Sequence, residues 1–350
     1  MAKRRLCLWI AALALSGPPP GRAAPPHAEV SDAAGLIRAA AKMGEHGGTI
    51  RLRPGVYVLT APLRFSRAHH VNLVGDGWDT ALQTRGAIDA IVFDDCSFCT
   101  VRHLLVNGDE AAPAGSGILF RGQCSSCTVD FCRLSSFAQS GVRFEGEAAS
   151  PQSSNVVSRC HLIDNGGDQL YSRYNNDFHI LNNQFGAHRR QKERAPRSGA
   201  CLDRSSAGNY SGNFHWGNRV ALRMSPGCNF NRIENNRFEE SREQGILMGD
   251  PSRAAGLYLN ILTGNTIHTN SQDSPGKFAA VEAYGACDVT FCANQVFSWD
   301  SARFRHRASL DLGRGCKTWI VTGNHFRHHA VRAILYDPGA GHVFGQNIDE

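Results

Sequence analysis

Arg143, Tyr171, Arg173, Arg204 and Arg223 lie close together in the middle of the chain, interleaved with Asp168, Asp203 and Glu243 and followed by Glu282. Guanidinium groups form bidentate pairs with carboxylates, and a tyrosine ring can stack on the face of a pyranose. That combination suits an extended anionic sugar chain. Elimination on a uronate needs a cation that neutralises the sugar carboxylate, so that the neighbouring proton becomes acidic, and a base that removes that proton. The arginines fit the first role, and Tyr171 or His215 fits the second. Arg143, Arg204, Arg223 and Glu282 are then substrate-binding positions. The carboxylates offer another chemistry, because glycoside hydrolysis or transfer uses two of them roughly 5 to 10 Å apart.

These residues must be positioned by whatever repeats around them. The pattern "apolar, two residues, Asn, one residue, apolar" occurs at Ile233/Asn236/Phe238, Leu262/Asn265/Ile267, Phe291/Asn294/Val296 and Val321/Asn324/Phe326, at steps of 29, 29 and 30 residues. Asn183 and Asn218 are assigned the same place further back, and Cys160, Cys132 and Leu104 occupy it earlier, giving steps of 28, 28, 23, 35, 18, 29, 29 and 30. A period in this range marks a solenoid, whose repeats bury their apolar faces only by stacking. Within each repeat, short runs such as Gly-Val-Arg-Phe (141–144) and Gly-Ile-Leu-Met (245–248) alternate with period two and read as strands. Two or three strands per repeat and no helix between them indicate an all-β chain, a single-stranded parallel β-helix of about ten coils. The recurring Asn residues then form a hydrogen-bonded ladder with a structural role.

Aligning the second strands by their first inward residue (Val142, Leu170, Cys201, Leu222, Ile246, Val281, Leu310, Ile334) places Arg143, Tyr171, Leu202, Arg223, Leu247, Glu282, Asp311 and Leu335 outward. Two residues on, Glu145, Arg173, Arg204, Ser225, Gly249, Tyr284, Gly313 and Asp337 also face outward. Neighbouring rungs are about 4.8 Å apart, so the arginines and Tyr171 form one patch. Asp168 and Glu243 lie eight and seven residues past their anchors, on the same side of the coil. Some three coils, near 15 Å, separate them, so Asp203 on the intervening coil is the better partner for either. The basic insertion at 187–198 lengthens one coil beside this patch and is expected to wall it.

At the N-terminal side, residues 31–43 read as an amphipathic capping helix, with Ser31 or Asp32 as cap and Leu36, Ile37, Ala40 and Met43 on one face. Gly47-Gly48-Thr49-Ile50 and Pro54-Gly55-Val56-Tyr57 follow. A helix, Gly-Gly-Thr-Ile, a spacer and Pro-Gly-x-Tyr resemble the opening of the pectate-lyase-like superfamily of right-handed parallel β-helix proteins, and the coils extend that resemblance over residues 30–345. The resemblance implies the right-handed fold. It assigns no catalytic set, since the superfamily includes lyases, hydrolases, epimerases, fructan-cyclising transferases and proteins of no known activity. The Asn-Thr-Asp and Gly-His-Gly strings of polygalacturonase-like enzymes and the Asp-Pro-His-Asp string of mannuronan epimerases do not occur. Calcium-dependent pectate lyases gather carboxylates around the ion. Asp164 and Asp168 are the residues here that would serve calcium, and no metal ligand set is assigned.

Residues 1–23 have the character of an export signal, with Lys3-Arg4-Arg5 before an apolar run at 6–15 and small residues near Ala23. The expected location is therefore secreted or periplasmic, with one domain over 24–350. Removing Cys7 with that signal leaves eleven cysteines. Cys96-x-x-Cys99 and Cys124-x-x-Cys127 are one coil apart, 28 residues, so stacked buried thiols explain the spacing, with disulfides or a four-thiolate metal site as alternatives. The net charge of +6 comes from scattered arginines rather than basic runs, which argues against nucleic acid, and no other segment is apolar and long enough to span a bilayer. At the far end, either residues 337–350 fold over the last coil or another subunit does, as in a homotrimer. The function expected is an exported carbohydrate-active enzyme acting on a polysaccharide, a uronate lyase ahead of a glycoside hydrolase or transferase. A non-catalytic polysaccharide-binding or cell-surface structural β-helix is the alternative. Tyr171 has one groove companion, Tyr284, too few for the repeated aromatic row of a binder.

Overall fold

The computed structural model describes residues 26–109, 111, 115–188, 197–253, 256–299 and 306–350. The expected export signal and residues 189–196 of the basic insertion lie outside the described residues. Three parallel sheets form the walls of a right-handed β-helix. Among the described residues they contain 13, 12 and 11 strands, and each coil contributes to them in that order. We call them the first, second and third sheets. The coil number is about twelve rather than ten, because the early and final coils lack the full Asn signature.

The helix α1 (Ala33–Met43) closes the N-terminal end, with the Asp32 carboxylate accepting a hydrogen bond from the Gly35 amide at 2.6 Å. Its buried face is Leu36, Ala39, Ala40 and Met43. Ile37 is 48% exposed, contrary to expectation. A 3.6-residue period puts positions 36, 39, 40 and 43 on one stripe and position 37 beside it. Residues 337–350 do not fold over the other end as a lid. They continue the winding, with Val343–Phe344 pairing onto the first sheet and Ile348–Asp349 onto the second.

The interior is built from like residues in rows. Phe65, Phe93, Phe120 and Phe144 stack along the third sheet with ring centroids 5.1, 5.0 and 4.9 Å apart. Each buried ring contributes about 1.5–3 kcal/mol, and each stacked pair about 0.5–1.5 kcal/mol more. At the next rung this row changes to Ser172, whose hydroxyl lies 3.2 Å from that of Ser205 and receives a hydrogen bond from Asn175. The core thus becomes polar beneath Tyr171 and Arg173.

The asparagine ladder is present, with one member corrected. It runs Asn183, Asn213, Asn236, Asn265, Asn294, Asn324 and Asn347, each side chain accepting from the backbone N–H of the residue one coil earlier at 2.9–3.0 Å. Asn218 is outside it and donates instead to the Phe185 and Trp216 carbonyls. The expected steps of 35 and 18 are in fact 30 and 23, within the range of the other coils. Asn213 escapes the sequence template because His215, not an apolar residue, stands two places on.

The cysteines extend the same rows. The Cys96 and Cys132 amides donate to the thiols of Cys124 and Cys160 one coil away, at 3.4 and 3.5 Å. All eleven described cysteines are free thiols, which corrects the disulfide alternative. Burial pushes Cys124 and Cys228 up to about 12. Alkylation of the native protein at about pH 8 should therefore reach the half-buried Cys287 and Cys292 and spare the buried rows, with full labelling only in denaturant. Peptide mass mapping reads this directly, and early labelling of Cys96 or Cys124 would mean that the rows are not packed.

Candidate functional site

The third sheet presents Val142–Glu145, Leu170–Arg173, Ser198–Asp203 and Val220–Met224 side by side, with Arg143 opposite Tyr171 and Glu145 opposite Arg173. In the next strand the register differs from expectation. Ala200 pairs with Leu170, so Cys201 stands beside Tyr171 and Asp203 beside Arg173. Leu202 is buried. Arg204 leaves the sheet at a left-handed turn (φ 51°) and lies over the Tyr174 ring at 5.5 Å, with Arg173 on the same ring at 5.4 Å. Gly199 to Leu202 is apolar at every position, so alternation could not set its parity, whereas stacking on Leu170 does.

The corrected register brings Asp203 into the centre of the patch. The Tyr171 hydroxyl donates to Asp203 Oδ2 at 2.9 Å, and the Arg143 guanidinium covers the Tyr171 ring at 4.4 Å. Arg143 Nε also donates to Glu145 at 2.5 Å, while Arg173 and Arg204 lie 4.0 and 3.4 Å from the Asp203 oxygens. Burial first, and then the Asp203 charge, pushes the Tyr171 phenol well above its ordinary range. Tyr171 therefore carries its proton, which fits a proton donor and not a resting base.

Two cavities flank this dyad. One, of about 480 Å³, is lined by Asp94, Asp95, Arg121, Glu145, Glu147 and Arg173 and is net acidic. Its Asp94, Arg121, Glu145 and Arg173, continued beyond the cavity by Asp203, form a row of alternating charge on successive strands. Such a row needs no ligand to balance it, although the adjacent Asp94-Asp95 pair and Arg121 were missed in the sequence. The other cavity, of about 380 Å³, is lined by Arg197, Arg219, Val220, Arg223, Glu243 and Leu247. Arg219 is paired with Glu243 at 2.8 Å, and Arg223 donates to the Cys201 sulfur at 3.2 Å. The lining has three guanidinium groups against the one carboxylate of Glu243, and the nearby Asp168 carboxylate offsets part of the surplus that is left for an anion.

Asp168 feels the charges of Arg223 and Arg197 from the basic cavity and is 7% exposed, with its carboxylate bonded to the Ser198 hydroxyl. Burial raises its pKa, and Ser198 with the charges of Arg223, Arg197 and Arg143 partly offsets that. Asp168 faces Ser198, at the opposite end of its strand from Asp203, so these two carboxylates are not partners: five residues of strand is roughly 16 Å. Glu243 is three rungs from Asp168, as expected. Asp164 is paired with His188 at 2.6 Å, so Asp164 and Asp168 do not converge as a calcium site would require.

His215 is not at the groove. It lies in the core between Phe185 and Phe238, with centroids 4.6 and 5.0 Å away, and its Nε2 meets the Tyr210 hydroxyl. Gly199 makes room for it, since a Cβ there would lie 2.2 Å from the imidazole Nδ1. Burial lowers its pKa to about 3, and that of His306 to about 3 and His268 to about 4. All three lie below the unfolded value of 6.5, so the unfolded chain takes up these protons first as pH falls. Their contribution is complete above pH 6.5 and is lost progressively towards pH 4 and below, at about 1.4 kcal/mol per pH unit for each histidine. Denaturant melts at descending pH should show this slope, and His215→Phe should reduce it.

Further along the sheet, Glu282 and Asp311 occupy adjacent rungs. Glu282 is buried, receives a hydrogen bond from Gln244 at 2.7 Å and one from the Ala279 amide at 3.0 Å, and is near the Tyr284 hydroxyl at 3.4 Å. Arg307 bridges Glu282 and Asp311. Burial raises the Asp311 pKa against the pull of Arg307, and it lifts Tyr284 to about 12. The outward alternation contained Glu282 and Asp311. Arg307 and Gln244 were not legible, because neither holds an outward position in that alignment.

The family model for the right-handed beta helix region matches residues 89–296. No curated protein sequence matches the chain. Among solved structures, the Dettilon tailspike protein superposes with a TM-score of 0.69 at 14% identity, over 89% of this chain and 62% of that one. The chain therefore spans less than two thirds of the tailspike's length. The A-module of an Azotobacter vinelandii mannuronan C-5 epimerase gives 0.58 at 17% identity, over 92% of this chain and 96% of that one. A Paenibacillus alginate lyase gives 0.54 at 12% identity, over 93% and 99%. At these identities the likeness is one of fold.

Proposed function

Since the chain belongs to the right-handed β-helix family, we propose that it is an exported carbohydrate-active enzyme that performs β-elimination on an acidic polysaccharide lying across the third sheet. The observation that carries this reading is the Tyr171–Asp203 hydrogen bond between a basic cavity and an acidic one. Arg223, with Arg197 and Arg219, holds the sugar carboxylate and spreads the charge that develops when the adjacent C–H bond breaks. Asp203 takes that proton. Tyr171 gives its own proton to the leaving glycosidic oxygen as the C–O bond breaks, and Asp203 returns the first proton to the phenolate across the 2.9 Å contact. Donor and acceptor are then restored. That similar folds include an alginate lyase and a mannuronan epimerase supports the choice of substrate class.

A second reading, glycoside hydrolysis, is favoured by a different observation. Glu282 and Asp311 stand on adjacent rungs of the third sheet, Glu282 buried beneath Gln244 and Arg307; the rungs are about 4.8 Å apart, near the spacing of retaining glycosidases. Burial raises the Asp311 carboxyl above its ordinary range, which fits the acid, and Glu282 on the adjacent rung would then be the nucleophile. The test incubates the mature protein with acidic and neutral polysaccharides while following the ultraviolet absorbance of an unsaturated uronate and the release of reducing ends. Absorbance supports elimination. Reducing ends without absorbance move the activity to Glu282 and Asp311. Neither signal on any substrate leaves the non-catalytic binder as the reading.

A further inference from the structure

The outer face of the second sheet has a cavity of about 300 Å³, lined by Gln295, Phe297, Trp299, His325 and Arg327. Trp299 is 59% exposed. It meets the Phe297 ring edge-on, with centroids 5.8 Å apart and planes at 81°, so the two rings form a corner. Phe297 is held in place from behind by His268, stacked at 4.9 Å and nearly parallel, and His268 Nε2 is 2.9 Å from Glu239. On the next strand Gln295 pairs with His325 and Phe297 with Arg327. His325 and Arg327 share Glu350, at 3.4 and 3.8 Å. An exposed Trp that is loosely packed costs free energy in water, and here it stands beside an amide, an imidazole and a guanidinium.

We propose that this cavity is a second glycan-binding site, which seats one pyranose ring of a polysaccharide. A pyranose has an apolar C–H face and a rim of hydroxyl groups. Trp299 and Phe297 take the face, Gln295 and Arg327 take the rim, and Arg327 also accommodates a ring carboxylate. A protein partner would need a far larger buried patch than two rings provide. The cavity is five rungs from Tyr171, about 24 Å along the axis, and on a different wall, so it is separate from the groove. Its role is to retain the enzyme on polymer while the third sheet acts. The inference rests on the glycan reading only for its ligand class.

Gel electrophoresis through alginate, polygalacturonate and a linear glucan tests it, using the full chain. Trp299→Ala should weaken retention in the gel that retards the parent by roughly tenfold in Kd, with Trp299→Phe restoring most of it. The same variant should leave turnover of short soluble oligosaccharides unchanged, while Tyr171→Phe loses turnover and keeps retention. If none of the three gels retards the parent, or if Trp299→Ala is retarded equally, the proposal is overturned. Loss of elimination in the parent with Trp299-dependent retention would sink the lyase reading alone.

Discussion

Tyr171→Phe will lower elimination roughly 10²–10⁴-fold and leave the thermal unfolding profile nearly unchanged. The hydroxyl reaches one partner, Asp203 Oδ2, and the ring, which packs under Arg143 at 4.4 Å, is retained in the variant. Removing the oxygen therefore deletes the proton donor without emptying the site. Asp203→Asn should produce a loss of the same order, because an amide cannot accept the substrate proton. The double variant should be little worse than either single one, since the two groups act as one relay. Full activity in Tyr171→Phe, read as initial rates on the same polymer, would remove this dyad from the chemistry. Glu282→Gln is the counterpart test. It should leave elimination untouched, and it should abolish reducing-end release if hydrolysis is the true activity.

Asn265→Leu is expected to have the largest structural effect. Its side chain accepts from the Asn236 amide and Asn236 Nδ2, both at 3.0 Å, and donates to the Ile233 carbonyl at 2.8 Å and to Asn294 Oδ1 at 3.0 Å. Leucine of similar size leaves a buried N–H and a buried C=O without partners. At about 1–3 kcal/mol each, the cost is roughly 2–6 kcal/mol, and it falls on two neighbouring coils. Because a solenoid is held together by nearest-neighbour contacts, the damage should be local: hydrogen exchange should rise in the coils of Asn236, Asn265 and Asn294 before the rest. Asn218→Leu, outside the row, removes donors from two carbonyls only and should cost less. Equal effects of the two variants would mean that the row does not act as a unit.

The coil of Asn213 illustrates why the site was only partly legible. His215 stands where the pattern requires an apolar residue, so the pattern passes over Asn213 and settles on Asn218. A histidine at a core position of the template reads in the sequence as a polar residue near the groove. In the structure it is a buried ring between two phenylalanines, where desolvation removes its basicity. Arg143, Tyr171, Arg173 and Arg223 face outward as the alternation expects, because Val142, Leu170 and Leu222 are buried in one inward row that sets their parity. Asp203 and Arg204 exchange parity because Gly199 to Leu202 is apolar throughout and only stacking on Leu170 sets that strand's register.

By itself the sequence determined the repeat, the parallel stacking, the helical cap, the rows of Asn and Cys and the face that carries the arginines. All of these are periodic, and each coil restates them, so an error in one repeat does not spread to the rest. Tertiary structure alone decided which carboxylates meet which partners. Asp203 reaches Tyr171 because Leu202 fills the core, Asp168 is kept from Asp203 by the length of a strand, and Glu282 and Asp311 meet through Arg307. Those contacts depend on a register of one residue and on which side chains meet between strands, and neither repeats along the chain.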